Sequence, residues 1–123
     1  MNKRPRVKSA TSIIGSKVIN TTGEQLGIIK ELMLDLDDEQ VAYAVLSFGG
    51  FLGMGDKFFA IPLEALTFTT EDHTVILDAE KDVLKNAPGF DKDHWPDDAQ
   101  YEAGWLLDLY EYYGYSPYWT PDK

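Results

Sequence analysis

The stretch from Leu26 to Phe48 constrains the fold more than any other part of the chain. Leu26, Ile28, Leu32, Leu34 and Leu36 share one face of an extended segment, with Lys30 as the exception, and Gly27, Ile29, Glu31, Met33 and Asp35 take the other. A period of two marks a strand with one buried face. Asp37-Asp38-Glu39-Gln40 is a polar hairpin turn. Val41 to Phe48 then runs apolar on both faces, as a strand buried on both sides does.

The segments around this pair are also short and strand-like. Lys17-Val18-Ile19-Asn20 leads into the turn Thr21-Thr22-Gly23-Glu24. Phe58 to Ile61, Ala65 to Phe68 and Thr74 to Leu77 give three more strands, with Pro62 at a strand end because it cannot donate to a ladder, and with Glu71-Asp72 as a further turn. Asp78 is placed to cap a short helix over Ala79 to Asn86, which Pro88-Gly89 ends. Many short strands joined by tight turns predict a mainly β fold, a small barrel or a two-sheet sandwich. A closed barrel also removes the free edges that promote aggregation.

The C-terminal stretch has a different character. Tyr101 to Trp119 holds eight of the sixteen aromatic residues. Pro96, Asp97 and Gln100 read as a helix start; Tyr101, Trp105 and Leu109 fall at helical spacing; Gly114 and Pro117 end the helix. The acids Glu102, Asp108 and Glu111 lie largely away from that line, so the helix is amphipathic and packs its aromatics on the barrel or on a partner subunit.

Charge narrows the partners. The net charge of −10 repels phosphate backbones, which argues against nucleic acid. Residues 1–30 nevertheless hold six Lys or Arg against one acid, and residues 1–10 read as a loose basic arm carrying Lys3, Arg4, Arg6 and Lys8. There is no cysteine, which excludes disulfides and thiolate chemistry. No apolar run follows the basic start as a signal peptide requires, and none reaches the ~18 residues of a membrane span, so the chain reads as cytoplasmic.

The candidate sites are few. Gly49-Gly50-Phe51-Leu52-Gly53-Met54-Gly55 lacks both the Lys-Ser/Thr pair and the following helix of a phosphate-binding loop. Its apolar residues Phe51, Leu52 and Met54 sit in a connection, where they form an interface or fold back to plug one end of the barrel. Asp91, Asp93, His94, Asp97 and Asp98 offer oxygen ligands around Trp95, but without calcium-loop spacing they read as a solvated acidic turn. His73 reads as a turn residue, and neither histidine belongs to a nucleophile or zinc pattern.

Together these residues carry a resemblance. Gly15, Val18-Ile19-Asn20, Gly23-Glu24, Leu26-Gly27 and Ile29 open it, and Leu36-Asp37 through Tyr43-Ala44-Val45-Leu46-Ser47 continues it. The Gly49–Lys57 block, Ile61-Pro62 and Leu66 follow; Leu84-Lys85, Ala87-Pro88-Gly89-Phe90 and Trp95-Pro96 close it. The pattern resembles the PRC-barrel family, which includes the cytoplasmic domain of the photosynthetic reaction-centre H subunit and the C-terminal domain of a ribosome maturation factor. The resemblance implies a small β-barrel that docks onto other proteins and shares no catalytic residues. No functional position of those relatives can be matched here, and the chain reads as a stand-alone version.

The expected organisation is a flexible basic arm over 1–10, a PRC-barrel-like domain over 11–96, and an aromatic, helical extension over 97–123. The expected function is a non-catalytic interaction or assembly module that forms a homodimer and docks on a further protein, one associated with a membrane. Its interface residues are Phe51, Leu52, Met54, Trp105, Leu109 and Tyr112, with no catalytic residue, cofactor or metal. The rival expectation is a small-ligand or metal-binding barrel using Asp91, Asp93, His94 and the Gly49–Gly55 loop.

Overall fold

The computed structural model of the 123-residue chain describes residues 5–48, 57–69, 73–87, 89–90 and 104–119. The elements are α1 (Ala10–Ile13), β1 (Lys17–Ile19), β2 (Gln25–Asp35), β3 (Gln40–Phe48), β4 (Lys57–Ile61), a 3₁₀ turn (Leu63–Ala65), β5 (Leu66–Phe68), β6 (Thr74–Leu77), α2 (Lys81–Lys85), β7 (Gly89–Phe90) and α3 (Trp105–Tyr113). The strands form one sheet in the order β5-β6-β1-β2-β3-β4-β7, antiparallel except where β1 runs parallel to β6.

The sheet is curled. Val18, Leu26, Ile29, Leu46, Phe59, Ile61, Leu66, Val75 and Leu77 come from six different strands, yet they meet in one buried cluster that Leu84 of α2 closes. A flat sheet would hold these side chains far apart. The β1–β2 turn is built on Asn20, itself buried. Its Oδ1 accepts from the Thr22 and Glu24 backbone N–H groups and from the Thr22 hydroxyl, at 2.8–3.1 Å, and its Nδ2 donates to Glu24. A buried amide satisfied on every side in this way fixes one turn geometry. Just beyond it, Gly27 lies so close to β3 that a Cβ would run into the Ser47 carbonyl oxygen.

β3 and β4 are buried on both faces, as the apolar run from Val41 to Phe48 requires. Ala44, Leu46, Phe59 and Ile61 face the curled interior. Tyr43, Val45, Phe58 and Ala60 face outward into a second cluster with Phe90 and Leu109, and α3 lies over it. Tyr110 donates to the Ala42 carbonyl at 2.8 Å, and Trp105 stands edge-on to Tyr43 with ring centres 5.5 Å apart. Gly114, at φ +84°, ends α3: its N–H bonds to Glu111 O while Tyr115 N–H reaches Tyr110 O at 2.9 Å. That pairing is the Schellman stop, which needs a left-handed residue at this place. Burial and Glu64 together push the Tyr110 hydroxyl up to about 12, so it stays a neutral donor.

Several expectations change. The alternation along β2 does not persist, because Leu26 is passed over in its ladder with β1 and Lys30 in its ladder with β3; a further irregularity, between Met33 and Leu34, passes over Ala42 of β3. An extra residue in a strand reverses which face every later side chain meets. Leu26 and Ile29, three residues apart, are therefore both buried and Ile28 is exposed, while Leu34 and Leu36, at the hairpin end of β2 beyond Leu32, are 64% and 81% exposed instead of joining the core. The short helix starts at Lys81 with Glu80 as its cap; Asp78 lies in the tight turn that closes with Ala79 N–H on Leu77 O. Ala65 belongs to the 3₁₀ turn, and β5 begins at Leu66. The C-terminal helix begins at Trp105, after Gly104 in left-handed backbone; Tyr101 and the Pro96–Gln100 start signal lie outside the described residues. The expected turn at Glu71-Asp72 lies outside them as well. Two elements were not anticipated: α1, capped by Ser9, and β7, which pairs Phe90 with Phe58.

The chain following α3 turns back to the β2–β3 hairpin. Tyr118 donates to Asp35 Oδ2 at 2.6 Å, while Asp35 Oδ1 accepts from the Asp37 and Asp38 N–H groups. The Tyr118 hydrogen bond, followed in weight by an opposing desolvation and then by those two N–H groups, sets the Asp35 carboxyl below its ordinary value of 3.8.

Three measurements check this architecture. Gly27→Ala lowers stability by about 1–3 kcal/mol or more in urea denaturation, since backbone and not a flexible side chain blocks the new methyl. Leu109→Ala costs about 2–5 kcal/mol, and Tyr110→Phe about 1–2 kcal/mol by orphaning a buried carbonyl; an unchanged midpoint for both would mean that α3 is not part of the fold. The Asp35–Tyr118 contact stabilises the protein above pH 3.8, and that contribution is lost as pH falls through the lower folded value. The stability gap between wild type and Tyr118→Phe therefore narrows on acidification; a gap constant with pH contradicts the assignment.

Candidate functional site

At one end of the barrel β2 runs on to its hairpin past the inner core and leaves apolar side chains exposed. There the hairpin supplies Leu32, Leu34 and Val41; the 3₁₀ turn and the edge strand β5 face them with Leu63, Leu66 and Phe68. Ile13 of α1 joins them, and the space between is a half-open groove of about 630 Å³. A smaller depression of about 280 Å³ continues past Leu34 and Val41 to Leu36, Asp35 and Glu39. The two form one apolar surface, with Leu34 and Val41 common to both.

Its two ends carry opposite charge. Exposed Arg6 and Lys8 line the groove, and Arg6 donates from its guanidinium to the Phe68 carbonyl at 2.7 Å. This contact covers part of the outer edge of β5. No carboxylate partner of either cation is found among the described residues. The other end is the hairpin turn, where Asp37, Asp38 and Glu39 are all exposed and Glu39 is held at φ +57°. Asp35 is turned away to Tyr118, so the C-terminal segment braces the acidic end of the surface.

The residues expected at an interface are separated. Phe51, Leu52 and Met54 lie outside the described residues, as do Asp91, Asp93 and His94 of the rival site. Leu109 is 4% exposed, its side chain occupied by the chain's own β3–β4 face. Trp105 is half-buried against Tyr43. Tyr112 is 42% exposed, and its hydroxyl donates to Val83 O at 2.7 Å, tying α3 to α2. His73 stands in a turn at φ +49°. Among the described residues no three His, Cys, Asp or Glu side chains gather as a metal site would need, and no helix is long and apolar enough to cross a membrane.

The groove was not foreseen, because Leu34 and Leu36 read as core positions. What the sequence does carry is a mark of the broken alternation, at Lys30. A lysine on an otherwise apolar face marks the place where the strand changes phase, and Lys30 is the residue skipped in the ladder between Ile29 and Glu31.

No curated protein matches the chain. Among solved structures it is similar to a protein of Pseudomonas aeruginosa assigned as the 16S ribosomal RNA processing protein RimM, at 20% identity and a TM-score of 0.42. That match covers 61% of this chain and 45% of the other, so the chain spans less than half of that protein's length. Residues 5–84, about two thirds of the sequence, match the PRC-barrel domain, from α1 through β6 to Leu84 of α2. The chain belongs to the PRC-barrel domain family.

Proposed function

We propose that this chain is a non-catalytic protein-interaction module that self-associates and serves assembly. The observation that carries the reading is the continuous apolar surface at the barrel end. Leu34 and Leu36, 64% and 81% exposed, sit beside a groove of about 630 Å³. Single exposed leucines are ordinary, but clustered ones beside a groove mark interaction sites. Among the described residues, the groups whose acidity is clearly displaced are Tyr110 and Tyr113 of α3, Tyr118 after it and Asp35 of β2; only Asp35 borders the surface, and its carboxylate is taken up by Tyr118 and the turn N–H groups, so no acid–base pair is arrayed there.

In this reading the chain works in the cytoplasm, and its second partner is a protein, one held at a membrane. At a net charge of −10 the module meets ribonucleoprotein or lipid surfaces through protein and not through phosphate. The assembly reading draws on the family, whose domain is a docking barrel.

Light scattering on the eluted protein at tens of micromolar tests self-association. The expected mass is twice the 13.9 kDa of one chain. A single-chain mass throughout that range overturns it.

A further inference from the structure

We infer that the barrel-end surface pairs with the same surface of a second copy, Leu36 of each hairpin entering the groove of the other. This rests on the reading of the chain as self-associating and assigns it a site. The argument is one of charge order along a single patch. Arg6 and Lys8 lie at the groove end, Leu34 and Val41 in the middle, and Asp37, Asp38 and Glu39 at the turn. A patch that is basic, apolar and then acidic is complementary to itself once inverted, and a two-fold axis performs that inversion. With the axis near Leu34, each copy's cations meet the other's turn acids. The most exposed leucine, Leu36, meets the apolar walls made by Leu32, Leu63 and Phe68. The two cations have no carboxylate partner among the described residues, so the second copy supplies what the single chain leaves out. A chain of net charge −10 repels another copy of itself at long range, which makes the placement of its few cations decisive at contact.

The test uses the full chain and three variants, each checked for native circular dichroism and melting. Leu36→Asp changes an exposed side chain, so the fold is kept while the dimer is lost. Arg6→Glu with Lys8→Glu sets acid against acid, and Asp37→Lys with Asp38→Lys sets base against base. Each pair of changes raises the dimer dissociation constant by roughly tenfold or more, as like charges in contact do. An equimolar mixture of the two charge variants regains the dimer, because every groove then faces a turn of opposite sign. If the mixture stays monomeric, or if Leu36→Asp leaves the dimer intact, this surface is overturned while self-association stands. A wild type that is itself monomeric at tens of micromolar overturns the pairing and the self-association reading together, and leaves the groove to a foreign protein.

Discussion

β3 and β4 are apolar on both faces, and neither face can be left in water. A barrel covers one. The other presents Tyr43, Val45, Phe58 and Ala60, a contiguous sheet surface of the kind that draws chains together. Burial at roughly 25 cal/mol per Å² makes cover for it worth several kcal/mol once aromatic side chains take part. Helix α3 and Phe90 of β7 provide that cover. The family match ends at residue 84, before either of them, so the cover of the outer core comes from sequence beyond the matched region. The tyrosines of the extension fit this position because each has an apolar ring and a polar tip. Tyr110 buries its ring under the helix and takes its hydroxyl to Ala42 O; Tyr112 and Tyr118 end on Val83 O and Asp35. Leucine at these places would fill space without tying the helix to α2, to β3 and to the hairpin.

What the sequence made legible followed from local rules that tertiary packing did not override. Val41 to Phe48 read as a strand buried twice over, and it is. The Thr74–Leu77 strand has the expected ends, Pro62 stands at the end of β4, and Gly114 stops α3. Periodicity failed where a ladder slipped. No composition rule distinguishes a strand of eleven residues in phase from one that changes phase twice, and β2 does the second, at Leu26 and at Lys30. Two-residue β7 is invisible to any period, since two residues define none; only its pairing with Phe58 and Phe59 makes it a strand. Asp78 had the chemistry of a cap but lies within the turn leaving β6, two residues before the cap Glu80. The candidate site suffered most. It depends on where the inner core ends along β2, which leaves Leu34 and Leu36 beyond it at the hairpin, and that is set by packing between strands and not by the residues themselves.

The same slips that spoiled the pattern also shape the molecule. Leu32, on the same face as Leu34, still packs against the inner core, while Leu34 and Leu36 lie beyond it at the hairpin end. Two bulges bend the strand and increase its twist, which suits the sharp curl that brings β5 opposite β3. The close approach of Gly27 to Ser47 sits at the start of this region, where β2 comes nearest to β3 before the slip at Lys30.

The exposed end is also held in shape from a distance. An unsupported hairpin tip is mobile, and ordering it on binding would cost entropy. Here Asp35 fastens the turn on two sides, accepting the N–H groups of Asp37 and Asp38 through one oxygen and the Tyr118 hydroxyl through the other. Tyr118 in turn stacks edge-on with Tyr110 and Trp119, and Tyr110 is anchored on β3. The chain of contacts runs from the outer core through the aromatic extension to the acidic turn without crossing the barrel interior. It ties the segment that covers one apolar face to the surface that leaves another open. Loosening α3 therefore acts on the groove by freeing the turn beside it, even though no residue of α3 lines the groove itself.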